Sequence, residues 1–216
     1  KEAAAIEAYE KAQMDHLNLK PGEKTKLRLT FLEGAPGAYA VAAVATAFQG
    51  HKKQARTSAT SVLAYAPWVL ELPADSCELL YGRAGYLQAI LFLRARSERL
   101  GLADDFGTEE VTAVARQILE EGRRRGDASV SLRWVWKKKS YLGAAHGSAG
   151  ILQTLLALKP GELAAAARQA GVPGDARRRV KAAVRDTAAA FALPSGNVPS
   201  SAERAERDVL VHWCHG

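Results

Sequence analysis

The chain has 216 residues, 48% of them hydrophobic and 25% charged, a make-up that fits a folded globular protein and excludes intrinsic disorder. Its two cysteines, Cys77 and Cys214, exclude a disulfide framework, and with no signal-type apolar run they point to a reducing, cytoplasmic setting. The formal charge of +7 gathers in Arg123–Arg125, Lys137–Lys139 and Arg177–Arg179, which read as solvated surface, with peripheral contact to acidic plasma-membrane lipid as their second role and no nucleic-acid binding.

Helical patterns run almost the whole length, with little period-two alternation, so the fold class is all-α. The chain opens at Lys1 and closes inside an apolar, aromatic run, and residues 1–216 read as one partial domain, a fragment of a longer protein. Lys1–Leu17, rich in Ala, Glu and Lys, is a helix candidate. The stretch "FLEGAPGAYAVAAV" from Phe31 leads into an apolar helix, and a more polar one follows over Thr57–Ala66. The apolar run Ala38–Phe48 is too short to span a bilayer, which takes about 20 residues. A second apolar helix follows "LLYGRAGYLQAILFL" from Leu79, and Asp104-Asp105 read as a polar turn.

Thr108 is the expected N-cap of an amphipathic helix with Glu109 and Glu110 in its first turn and an end near Gly126. The segment "RWVWKKK" from Arg133 reads as a loop with no assigned role, leading into "YLGAAHGSAGILQTLLAL" from Tyr141. Pro160 and Pro173 stand near the starts of two further helices, the second over Ala176–Phe191.

Three of these segments share one pattern, an apolar lead-in, Gly-x-x-Gly and an apolar helix, and the terminal "VLVHWCHG" begins a fourth. Their first glycines, Gly34, Gly82, Gly147 and Gly216, are 48, 65 and 69 residues apart, each step long enough for two helices. Apolar and amphipathic helices therefore alternate, as in an α/α arrangement with an inner and an outer layer. Glycine permits sharp entry and close approach at each inner helix start. If the layers curl into a ring, those N-termini converge, and their unpaired N–H groups would favour an anion or thiolate at the centre.

Two repeat starts carry reactive side chains, His146 just before Gly147 and Cys214 two before Gly216. An imidazole can transfer protons and a thiolate can hold zinc. The plainer alternatives are a capping or core histidine and a small buried cysteine. Cys77 lies upstream of its glycines and reads as structural, and His212 and His215 as local hydrogen-bonders.

"LLYGRAGYLQAILF", "YLGAAHGSAGI", "LPSGNVPSS" from Leu193 and "RDVLVHWCHG" from Arg207 resemble the eukaryotic lanthionine synthetase C-like (LanC-like) proteins, relatives of the bacterial lanthipeptide cyclases. The resemblance implies an α/α toroid, here partial, with one zinc in the central opening. It maps Cys214 onto a zinc ligand and His146 onto the acid/base, while the family's remaining ligands, in a later Cys-His-Gly motif, are not reached. It also implies addition of a thiol, that of glutathione, to dehydroalanine or dehydrobutyrine in peptides or proteins. On that reading the 216 residues alone are inactive and bind zinc weakly. The alternative from another class is a catalytically silent helical scaffold that binds protein partners or an acidic membrane surface.

Overall fold

Helices apolar on every side need partners on every side, whereas helices with one apolar stripe need them on one, and two layers follow. The computed structural model describes residues 28–204, 206, 208, 213 and 214. In chain order the helices among them are α1 (Ala35–Phe48), α2 (Lys52–Leu63), α3 (Ala66–Leu70), α4 (Arg83–Arg94), α5 (Ser97–Leu100), α6 (Thr108–Arg125), α7 (Ser148–Ala157), α8 (Pro160–Gln169) and α9 (Ala176–Phe191), followed by a 3₁₀ turn over Ala202–Arg204. The helix expected over Lys1–Leu17 lies outside the described residues.

The inner layer is α1, α4 and α7, with α4 packed between the other two. Behind them α2 backs α1, α6 backs α4 and α9 backs α7, while α8 packs on both α6 and α9. The fold is thus all-α, with the nested layers of a partial α/α toroid. Its central helix, α4, buries residues on all sides, including Tyr86, Leu87, Ile90 and Leu93, each apolar side chain contributing about 1.5–3 kcal/mol. By contrast α6 buries one stripe, Val111, Val114, Ala115, Ile118, Leu119 and Gly122, at the three- and four-residue spacing of a helix resting on one face. The Tyr86 hydroxyl ties the layers together by donating to the Val62 carbonyl at 3.1 Å.

Two boundaries differ from expectation for local reasons. The outer helix expected over Thr57–Ala66 runs from Lys52 to Leu63, because α2 begins directly after the turn at Gly50, whose φ is +86°. Thr108 is the first residue of α6 rather than its cap, which is Gly107. Its hydroxyl donates instead to Glu162 at 2.8 Å, and Arg94 grips the same carboxylate at 2.6 and 2.9 Å. Burial alone would raise the Glu162 pKa, but the hydrogen bonds from Arg94 and Thr108 outweigh it and hold the group below its ordinary value. This cluster pins the starts of α6 and α8 to the end of α4.

The basic runs are largely engaged. Arg124 and Arg125 pair with the buried Glu121, and Arg123 donates to the Ala170 carbonyl at 3.1 Å. Arg177 and Arg179 donate to the carbonyls of Leu156 and Pro173. No helix among the described residues is long and apolar enough to cross a membrane.

Candidate functional site

Each Gly-x-x-Gly motif builds the same helix start. Gly34, Gly82 and Gly147 are the N-caps of α1, α4 and α7, all in extended backbone. The residues three before them, Phe31, Leu79 and Ala144, turn their carbonyl oxygens against the second glycine of their own motif. A Cβ on Gly37, Gly85 or Gly150 would stand 1.7, 2.0 or 2.0 Å from those oxygens. The same three residues point their N–H groups at the next repeat: Phe31 donates to the Gly85 carbonyl at 3.0 Å, Leu79 to Ala145 at 3.1 Å and Ala144 to Trp213 at 3.0 Å. One hydrogen-bonded seam therefore runs through successive lead-ins and brings the Trp213-Cys214 segment alongside the third.

This seam corrects one expectation. The first N–H groups of α4 and α7 are not left for a central anion: Arg83 and Ala84 donate to Ser76 and Cys77, and Ser148 and Ala149 to Tyr141 and Leu142. The lead-in folds back beneath the helix start and uses the donors that an anion would need.

His146 stands where the second and third repeats meet. Its Nδ1 lies 2.9 Å from Oε2 of Glu78, a carboxylate 1% exposed that also accepts the N–H groups of Leu80 at 2.8 Å and Tyr81 at 2.5 Å. The imidazole stacks on Trp136, with ring centres 4.4 Å apart and planes 6° from parallel, and Tyr81 and Tyr141 stand at 5.6 and 5.9 Å. Burial pushes the Glu78 carboxyl up to about 7, against the pull of its two backbone hydrogen bonds. Burial, and then the charge of Lys137, press the His146 pKa down. Burial thus disfavours the charged form of each group, and the 2.9 Å contact lets the pair share one proton.

Cys214 is half-buried and outside any disulfide. Burial raises its thiol pKa, and the nearby Glu78 carboxylate raises it further. Glu78 is thus the group common to both residues singled out in the sequence, bonded to His146 and within electrostatic reach of Cys214. Beside this cluster, Phe31, Gly85, Gln88, Gly150 and Trp213 line a cavity of about 220 Å³ between the starts of the inner helices.

Neither Glu78 nor Trp136 was singled out in the sequence. Glu78 carried a signal, an acidic residue in an otherwise apolar lead-in, where the other inner repeats have Thr30 and Gly143. Trp136 carried none, since the loop that delivers it has no periodicity. Cys77 is buried, its thiol donates to the Ala74 carbonyl at 3.3 Å, and burial pushes its pKa up to about 12, so it is chemically inert. His212, His215 and Gly216, which begins the fourth repeat's glycine motif, lie outside the described residues.

Zinc takes three or four protein ligands. Among the described residues no group of three His, Cys, Asp or Glu is placed to hold a metal ion, so these residues do not by themselves fit zinc.

Comparison with known proteins places this architecture. The model of the lanthionine synthetase C-like protein family matches residues 5–216. Among curated proteins, the glutathione S-transferase LANCL1 of Danio rerio is 31% identical over 209 residues, which cover 94% of this chain and 48% of that protein. The chain spans about half the length of that relative.

Proposed function

This chain belongs to the lanthionine synthetase C-like family, and we propose on that premise that the protein it forms part of adds the thiol of glutathione to dehydroalanine or dehydrobutyrine residues in peptides. The observation that carries the reading is the Glu78–His146 pair, an imidazole held by aromatic rings and backed at 2.9 Å by a buried carboxylate that is within electrostatic reach of Cys214. The relative's name, a glutathione S-transferase, supports glutathione as the thiol donor.

In the proposed reaction the co-substrate thiol loses its S–H proton to solvent, and the resulting thiolate sulfur forms a bond to the β-carbon of the dehydroamino acid. The alkene π electrons move onto the α-carbon and its carbonyl as an enolate, and a proton delivered to the α-carbon completes the thioether. His146 delivers that proton. With Nδ1 engaged by Glu78, the proton is carried on Nε2, and the carboxylate stabilises the imidazolium while it is charged. Glu78 is a positioning residue, since it acts through the ring. The stack on Trp136 fixes the ring plane, so the proton is delivered from one direction.

Zinc enters as a group held by Cys214 together with ligands from the portion of the protein this chain does not span, and when bound it would keep the attacking thiol ionised near neutral pH. Cys214 is assigned to ligation and not to nucleophilic attack because its place in the Trp-Cys motif matches the family's zinc-ligand cysteine, while the attacking sulfur is that of the co-substrate. Residues 1–216 are proposed to act as one partial domain of the toroid.

The test is incubation of the full-length, zinc-loaded protein with glutathione and a dehydroalanine peptide, read by mass spectrometry. The expected product is the peptide plus one glutathione, lost in Cys214→Ala. No adduct from the folded, zinc-loaded protein would overturn the proposal.

A further inference from the structure

The loop before the third repeat carries an unusual turn. Trp136 and Lys139 exchange backbone hydrogen bonds at 2.9 and 3.0 Å, leaving Lys137 and Lys138 as a two-residue hairpin turn with φ of 46° and 66°. Such a turn needs the left-handed region at both central positions, where Asn-Gly is the usual choice and a side-chain-bearing residue is disfavoured. Local propensity therefore does not account for lysine here. The turn is held by its base: Trp136 is stacked on His146, and Trp136 and Tyr141 rings lie 6.0 Å apart.

The result is a cation fixed one ring away from the proposed proton donor. Lys137 Nζ lies 4.6 Å from the centre of the Trp136 ring, and on another wall of the same aromatic cluster the Arg28 guanidinium lies 4.1 Å from the centre of Tyr81. The nearby carboxylates are already engaged, Glu78 by His146 and two backbone N–H groups, and Glu203 by the Ser140 N–H at 2.9 Å. A carboxylate arriving with a ligand would thus find its charge partner at Lys137.

We propose that Lys137 holds a carboxylate of the thiol co-substrate, so that this lysine, presented by the turn, selects an anionic thiol over a neutral or cationic one. This deepens the reading above and rests on it for the identity of the co-substrate. Glutathione carries two carboxylates, one at either end of a short flexible chain. A lysine at the edge of the site can take one of them while the sulfur lies further in. An exposed pair of this kind changes affinity by about fivefold and weakens with salt.

The experiment uses the full-length protein with two readouts. Calorimetric titration with S-methylglutathione, which cannot react, measures the grip on the carboxylates apart from the chemistry. Steady-state addition to a dehydroalanine peptide compares glutathione with cysteamine, a thiol without a carboxylate. Lys137→Gln is expected to weaken S-methylglutathione binding about fivefold and to lower the preference for glutathione over cysteamine by a similar factor, chiefly through KM. Lys137→Arg should restore most of both, and Lys138→Gln should alter neither by as much as twofold. A urea midpoint for each variant confirms folding. The proposal is overturned if Lys137→Gln binds S-methylglutathione as tightly as the unaltered protein, or if the unaltered protein does not bind it. Binding that depends on Lys137 without any thioether product would instead overturn the thiol-addition reading alone.

Discussion

Replacing Gly150 by alanine tests the shared construction of the inner helix starts. In an open helical position the change gains up to about 1 kcal/mol, because alanine has the higher helix propensity. Gly161, in the first turn of α8 with nothing within 4 Å of its would-be Cβ, is such a position. At Gly150 the new Cβ would stand 2.0 Å from the Ala144 carbonyl oxygen, where ordinary contact begins at 3.4 Å. The obstacle is backbone and cannot swing aside. It is pinned by the Ala144 N–H bond to Trp213 and by the bonds from Ser148 and Ala149 to Tyr141 and Leu142. Relieving the overlap means loosening at least one or two of these, each worth about 1 kcal/mol, on top of the 1–3 kcal/mol typical of overpacking. Gly150→Ala should therefore destabilise by about 2–4 kcal/mol while Gly161→Ala stabilises slightly. Urea unfolding of the full-length protein, compared at constant m-value, measures both. Equal stability of Gly150→Ala and the unaltered protein would refute the idea that the second glycine is required by the carbonyl facing it.

Two other perturbations address the interior. Burial raises the Glu78 carboxyl from 4.5 to about 7, so the folded state binds that proton more tightly than the unfolded one. The group's favourable contribution is therefore fully present below about pH 4.5 and lost as pH rises through about 7, on the order of 3 kcal/mol in all. Because burial lowers the His146 pKa, its contribution runs the opposite way, increasing as pH rises toward 6.5, so the comparison belongs in a His146→Gln background. There, Glu78→Gln should gain stability relative to Glu78 between pH 5 and pH 8, and a pH-independent difference would contradict the burial argument. Arg83, 2% exposed, donates to the carbonyls of Leu72, Pro73 and Ser76 and to Gln117. Arg83→Met should cost about 3–5 kcal/mol, read as a fall in urea midpoint, and Arg83→Lys should not restore it, because an ammonium cannot reproduce the guanidinium fork.

The repeat was legible in the sequence because its cause is local. A glycine is needed wherever a carbonyl faces the helix start, and Gly34, Gly82 and Gly147 mark the three N-caps directly. The stripe on α6 and the range of α9 were equally legible from periodicity and charge. What escaped was set by tertiary contact. Thr108 looked like a cap because hydroxyls cap helices, yet the buried Glu162 took its hydroxyl and Gly107 became the cap. Trp136 sat in a segment read as a plain loop, and only the fold brings its ring 4.4 Å from that of His146. Glu78 is 68 residues from His146 in sequence, so pairing them required knowing that the second and third lead-ins share a hydrogen-bonded seam. The helix ends looked like an anion site in the sequence because their N–H donors appeared unpaired. At α4 and α7 the returning lead-in had already paired them.

The most direct measurement is the rate of glutathione addition to a dehydroalanine peptide by the full-length protein carrying His146→Ala, with zinc content determined on the same sample. If His146 protonates the α-carbon, the rate falls by about 10²-fold or more while zinc stays bound. A rate within about twofold of the unaltered protein, with zinc retained, would contradict the acid/base role and leave the Glu78–His146 pair as structural support alone.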